Sequence, residues 1–213
     1  MRLLFLFLTS FVTHLISAQN FTEAEKKLIL SGDTATMLRL MPLTEAAGKE
    51  ALRNISKDIA FNDSLLPLLK SRMLKSVLDS SHRGVGIAAP QVGINRNLIY
   101  VQRFDKPGLP FEFFINPKIT WRSALLIKGP EGDLSFEERG DVVRNYAIMV
   151  SYTDIKGQQH IEMLEEFTAI IFQHETDHLS GTLLTDRIKE QQAKKYELFQ
   201  PVRAKALLKE QVN

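Results

Sequence analysis

The stretch EEFTAIIFQHETDHLSG, residues 165–181, sets His174 and His178 four positions apart. On a helix that spacing brings both imidazoles to one face. Phe167 and Ile171 fall on the same stripe and Ile170 lies beside it, so the histidines are expected to point inward with the core. Gly181 supplies the stop, in the position where a helix ends in a left-handed residue. Glu175 is rotated to the side of the histidine face. This is the H-E-x-x-H arrangement, in which a metal ion acidifies water and the neighbouring carboxylate takes its proton. One inward histidine is an ordinary core residue. Two on a buried stripe, flanked by a carboxylate, are hard to satisfy without a cation.

Upstream, Leu65, Leu69, Met73 and Val77 recur every four residues, with Leu66 and Leu74 widening the stripe. Lys70, Arg72 and Lys75 lie off it, which predicts an amphipathic helix over 65–84 ending near Gly84. Strand signals follow at 97–103, 111–117, 119–128 and 146–154, rich in β-branched and aromatic residues. Residues 154–159 read as a hairpin turn and 160–164 as the returning strand. Helix, antiparallel strands and helix give an α+β order, with antiparallel sheets packed around a central HExxH helix. Beyond it, residues 191–213 read as a charged helical tail, broken at Pro201.

The chain has 213 residues, 44% hydrophobic and 24% charged, which suits one soluble domain with an appendage. A net charge of +2 with scattered Lys and Arg gives no basis for nucleic-acid binding. The absence of cysteine excludes disulfides, iron–sulfur clusters and thiolate-bound zinc, so a metal must use His, Asp, Glu or backbone oxygen. The first residues carry Arg2, an apolar run from Leu3 to Val12, and small residues at Ser17 and Ala18. That is the layout of a signal peptide over 1–18, cleaved after Ala18. The run is shorter than the roughly 20 residues that span a bilayer, so no stable membrane anchor is expected after cleavage. The expected location is secreted or periplasmic, with organellar or cytoplasmic as alternatives. Residues 19–34 read as an N-terminal extension leading into the domain.

Two histidines leave a catalytic site one protein ligand short. The longer motif H-E-x-x-H-x-x-G-x-x-H fails, because its last position is Leu184. Glu197, nineteen residues past His178, would suit a thermolysin-like His, His, Glu set. Asp133 is the other candidate.

GVGIAAPQ (84–91), EGDLS (131–135) and QHETDHLSG (173–181) together resemble, in order and spacing, the three signature motifs of peptide deformylases. EALRNISKDI, NLIYVQ, FFINPKI and YTDIKGQ between them also fit, so the resemblance covers residues 35–190. It implies a peptide-deformylase-like fold and a metal-dependent amidase that removes the N-formyl group from N-formylmethionyl peptides. By position, Asp133, His174 and His178 would be the metal ligands and Glu175 the general base. Gln91 and the backbone N–H of Leu134 would stabilise the oxyanion. Backbone around Val85, Gly86 and Gly132 would pair with an extended peptide. Val85, Phe167, Ile170 and Ile171 would line an apolar pocket for the methionine side chain, and Arg139 would lie near the substrate. The cofactor implied is one divalent ion, Fe²⁺ or Zn²⁺ foremost, with Co²⁺, Ni²⁺ or Mn²⁺ as alternatives. The partner implied is an N-formylated or N-acylated peptide, bound by a monomer.

The chain departs from that pattern in two places. Asp133 stands where the family has its ligand cysteine, and the proline expected soon after is replaced by acidic residues in SFEERG. Asp is a competent ligand, with zinc–oxygen distances of about 2.0–2.2 Å against about 2.3 Å for sulfur. Another metallopeptidase or N-acyl amidase, or a catalytically weak peptide-binding homologue, is the alternative reading.

Overall fold

The computed structural model describes residues 19–82 and 84–199. The expected signal segment and the tail beyond residue 199 lie outside the described residues. The elements are α1 (Glu23–Ile29), α2 (Ala46–Arg53), α3 (Leu66–Val77), β1 (Gly86–Ala88), β2 (Leu98–Gln102), β3 (Phe111–Arg122), β4 (Leu126–Glu131), β5 (Gly140–Asn145), β6 (Ala147–Thr153), β7 (Gln159–Glu165), α4 (Glu166–Leu179) and α5 (Leu184–Gln192). A short 3₁₀ turn, Ala89–Val92, follows β1. The five-stranded sheet has the order β1-β2-β3-β6-β7, and β4 pairs with β5 in a second, two-stranded sheet. Every pairing between these strands is antiparallel. This is the expected α+β arrangement.

Strand alternation explains how one sheet serves two cores. Leu98, Tyr100, Phe113 and Ile115 face α3, where Leu69, Met73 and Val77 pack. Ile99, Val101, Phe114, Ile148 and Val150 face the other way, towards Ala169, Ile171 and Phe172 of α4. LIYVQ therefore reads as a continuous apolar run because both its faces are covered. Full burial of a side chain such as Phe172 contributes about 2–3 kcal/mol. β7 runs into α4 without a loop, and Glu166 takes φ 54°, a left-handed conformation that a non-glycine residue rarely adopts. That abrupt junction fixes α4 across the sheet.

Several expectations are corrected. The helix expected over 65–84 stops at Val77, because Asp79 accepts from the Ser81 N–H (3.2 Å) and hydroxyl (2.9 Å) and turns the chain. Arg72 lies off the apolar stripe, yet it is buried and donates to the carbonyls of Leu28, Ile29, Thr36 and Met37. The stretch 19–34 packs against the domain, with Phe21 and Ile29 in the core and Glu25 bound by buried Arg96. The strand expected over 119–128 is divided. β3 runs on to Arg122, with register shifts around Asn116 and Pro117, and β4 starts afresh at Leu126. β5 carries no sequence expectation at all. Among the described residues, the expected helical tail is helical only to Gln192. Residues 193–199 are coil, where the Phe199 N–H donates to Leu126 O (2.7 Å) and its ring packs on Tyr146. No described helix is long and apolar enough to cross a membrane.

Arg103, 1% exposed, closes the end of β2 by bonding Asp105, Glu112 and Glu162. Its bond holds Asp105 down at about 2 and outweighs burial to lower Glu162 as well. These folded values lie below the unfolded ones of about 4. The stabilisation is therefore complete above pH of about 4 and is lost as the pH falls towards 2. Arg103→Met should cost about 3 kcal/mol at neutral pH. It should also flatten the fall of the urea midpoint between pH 4 and pH 2. An unchanged midpoint at neutral pH would show that the cluster carries no net stability.

Candidate active site

Two pieces of backbone converge on the inner face of α4: the β1 edge with its 3₁₀ turn, and the loop after β4. Gly86 makes the approach possible. A Cβ there would stand 2.4 Å from Glu175 Oε1 and 2.7 Å from Ile171 Cγ2. The cleft between these pieces is lined by Val85, Gly86, Gln91, Gly132, Asp133, Leu134, Arg139, Phe167, Ile170, Ile171, His174 and Glu175. His178, 1% exposed, lies beneath its floor. All thirteen residues named from the sequence therefore share one place. Phe167 differs in attitude. It is 44% exposed at the cleft mouth against Phe104, since the first turn of α4 overhangs the core.

Asp133, His174 and His178 present ligand-type atoms that all lie within 4.8 Å of one another. Asp133 Oδ2 is 3.1 Å from His178 Nε2 and 3.7 Å from His174 Nε2. Both Oδ2 and His178 Nε2 are buried and without a hydrogen-bond partner. Buried polar atoms are rarely left so. The donor set, two imidazole nitrogens and one carboxylate oxygen, suits a divalent cation, so the residues fit the group that H-E-x-x-H implies. Glu197 is exposed on the coil after α5 and is not part of this cluster, so the thermolysin-like ligand set is not assembled.

The surroundings orient each donor. His174 Nδ1 donates to Glu131 Oε2 at 2.9 Å, which leaves Nε2 as the free lone pair facing Asp133. Glu131 is gripped by Arg144 through two bonds of 2.8 Å. Arg144 also donates to Asp177 (2.6 Å), which in turn receives Arg187 of α5. Sequence reading missed Glu131, Arg144 and Asp177. Glu131 opens the EGDLS motif and Asp177 lies inside H-E-x-x-H, whereas Arg144 lies on the unread strand β5.

Gln91 Oε1 accepts from the Ala88 N–H (2.9 Å), and its Nε2 donates to Asp133 Oδ1 (3.1 Å). The Ser135 N–H also reaches Oδ1, at 2.8 Å. The Leu134 N–H is free of protein acceptors among the described residues.

Without a cation, the electrostatics are lopsided. Burial opposes ionisation of Glu131, but Arg144 and His174 outweigh it and hold Glu131 at about 2. At Asp133, burial is likewise outweighed by His178 and His174, to about 2. Burial pushes Glu175 up to about 7 against the pull of the same imidazoles. Burial would lower His174, yet the Glu131 bond and the charges of Glu175 and Asp133 raise it to about 9. Three carboxylates and two imidazoles thus share a buried site, with Arg144 offsetting Glu131 from behind.

Comparison with known proteins agrees. The family model described as polypeptide deformylase matches residues 43–194. A peptide deformylase of Synechocystis sp. is 41% identical over 143 residues, covering 66% of this chain and 75% of that protein. One from Caulobacter sp. is 37% identical over 152 residues, covering 70% and 87%. Among solved structures, a class I type b peptide deformylase from Acinetobacter baumannii with Met-Ala-Ser bound is 32% identical. It covers 72% of this chain and 99% of that one, with a TM-score of 0.64. The Synechococcus elongatus enzyme in complex with actinonin is 36% identical over 70% and 78%, with a TM-score of 0.62. The model match spans most of the chain and lands on the cleft built above: the chain belongs to the peptide deformylase family, metal-dependent hydrolases that remove the N-formyl group from peptides.

Proposed function

We propose that Asp133, His174 and His178 hold the divalent cation of this reaction and that Glu175 is its base. The observation that carries the assignment is the convergence of the orphaned Asp133 Oδ2 on both Nε2 atoms. A divalent ion held there would polarise a carbonyl and make water a nucleophile at neutral pH. Donors that are all nitrogen or oxygen suit Fe²⁺ or Zn²⁺ first, with Co²⁺, Ni²⁺ or Mn²⁺ also compatible.

The chain's own groups then divide the work. Glu175, raised by burial, takes a proton from the attacking water. It returns that proton to the departing amine as the formyl C–N bond breaks, releasing formate and a free N-terminus. Gln91 has a second Nε2 hydrogen not used by Asp133, and Leu134 offers its N–H. Both suit the oxygen that becomes negative in the transition state. Backbone at Gly86 and Gly132 leaves room for an extended peptide to lie alongside as an added strand. Val85, Ile170, Ile171 and Phe167 form the apolar wall for the first side chain, and Arg139 flanks it. The Met-Ala-Ser seen in the Acinetobacter enzyme supports a methionyl peptide in this cleft. The substrate class proposed is N-formylmethionyl peptides, met as exported peptides by a monomer outside the cytoplasm. The pattern of residues 1–18 supports that location. So does a metal centre with no thiolate to oxidise.

Glu175→Gln should lower kcat on formyl-Met-Ala-Ser by about 10²–10⁴ while the metal content stays near one ion per chain. Asp133→Ala should lose the metal. A fully metallated Asp133→Ala protein would overturn the ligand set, and an unimpaired Glu175→Gln would remove the base. Glu131→Gln, which removes the charge orienting His174, should weaken metal affinity about 10–100-fold in chelator competition. An affinity equal to that of the parent would show that Arg144 and Glu131 serve the fold alone. For location, expression of the whole gene in a bacterium should yield an extracytoplasmic protein whose first residue is Gln19. Recovery of uncleaved chain in the cytosol would reject export.

A further inference from the structure

The second oxygen of Asp133 does something that a sulfur ligand at this position could not. Oδ1 accepts from Gln91 Nε2 (3.1 Å) and from the Ser135 N–H (2.8 Å). Oδ2 accepts from nothing and faces both imidazoles. A carboxylate free to rotate can offer a cation both oxygens, and doing so would fill the position that catalysis needs for water or substrate. Here rotation is opposed on one side only. Oδ1 would have to give up two N–H donors, and both donors are rigidly placed. Ser135 donates from the backbone, and the Gln91 amide is held from behind by the Ala88 N–H at Oε1 (2.9 Å). Gln91 is 1% exposed, so no water replaces the lost bond cheaply.

We infer that Gln91 is a positioning residue for the metal ligand as well as a donor to the substrate. With the Ser135 N–H, it holds Asp133 in single-oxygen ligation and keeps one coordination position open. The inference rests on the assignment of Asp133 as a ligand. It gives Gln91 two N–H bonds with separate purposes, one to Oδ1 and one into the cleft. It also accounts for the switch from a one-atom to a two-atom ligand without a crowded metal, since the added oxygen has its own partners.

The test is the cobalt spectrum of the full chain loaded with Co²⁺, because visible absorption is intense in four-coordinate sites and weak in five- or six-coordinate ones. Five proteins are compared: the parent, Gln91→Leu, Asp133→Cys, the double variant and Asp133→Ala, with Gln91→Met as a second apolar substitute should Gln91→Leu fail to fold. The parent is expected to show the intense band, and Gln91→Leu to lose it severalfold as Oδ1 swings in. Asp133→Cys should show an intense band that Gln91→Leu leaves unchanged, since a thiolate has no second atom to release. An unaltered band in Gln91→Leu and Gln91→Met, or an equal change in the cysteine background, overturns the inference. An Asp133→Ala protein that keeps the parent spectrum overturns the underlying ligand assignment, a different result from either.

Discussion

The structure turns on a buried cluster of carboxylates and imidazoles. Asp133, Glu131 and Glu175 meet His174 and His178 where little water reaches, and Arg144 offsets Glu131 from behind. Burial raises Glu175, while the Glu131 bond and the neighbouring carboxylates raise His174 against burial. A fold that assembles such a centre must hold it by other means, and the surroundings of α4 show how. Its apolar face is packed on the sheet through Phe172 and Ile171. Its polar side is tied by Asp177 to Arg144 and Arg187, and the chain enters it without slack at Glu166. Rigidity bought on three sides of one helix fixes the positions of both histidines.

The same constraint explains the glycines and the small residues at the β1 edge. On the proposed assignment, Glu175 stands close enough to share a water with the metal ligands, and the strand that would receive the peptide passes the same point. Only a residue without a side chain lets both happen, which is why Gly86 sits against the Glu175 carboxylate. The proposed peptide edge and the proposed base thereby share a single backbone contact, so displacing β1 would also move Glu175.

Local pattern carried much of this and failed where tertiary contacts decide. The four-residue spacing of the histidines, the alternation along LIYVQ and the glycine stop at 181 are properties of short segments, and the elements they imply are present. All the residues singled out as one site line one cleft or lie beneath it. Arg72 was misplaced because a long cation off an apolar stripe ordinarily points to water. Here it finds the open carbonyls of an N-terminal turn nearly forty residues away in sequence, which no periodicity reveals. The packing of residues 19–34 was hidden for the same reason: they look loose until Arg72 and Arg96 are seen to collect them. β5 escaped notice because it is short and rich in charge. Phe167 looked like core because periodicity counts faces, not the point at which a helix runs past its sheet.

The replacement of a thiolate by a carboxylate is best understood as a change in how the ligand is controlled. A sulfur atom is steered by its own single bond geometry. A carboxylate has to be steered by its neighbours, because either oxygen can serve. Gln91 and the Ser135 N–H already occupy one oxygen, so the cost of the change falls on groups that the cleft must place in any case. What the substitution removes is the one atom in such a centre open to stepwise oxidation. What it adds is a harder donor that leaves the cation more electron-poor. On the proposed assignment, a harder cation would strengthen the pull on water and on the formyl oxygen together, with Glu175, standing against Gly86, placed to use it. The aspartate then retunes the centre rather than removing a ligand, since Gln91, Glu175 and both histidines stand around it.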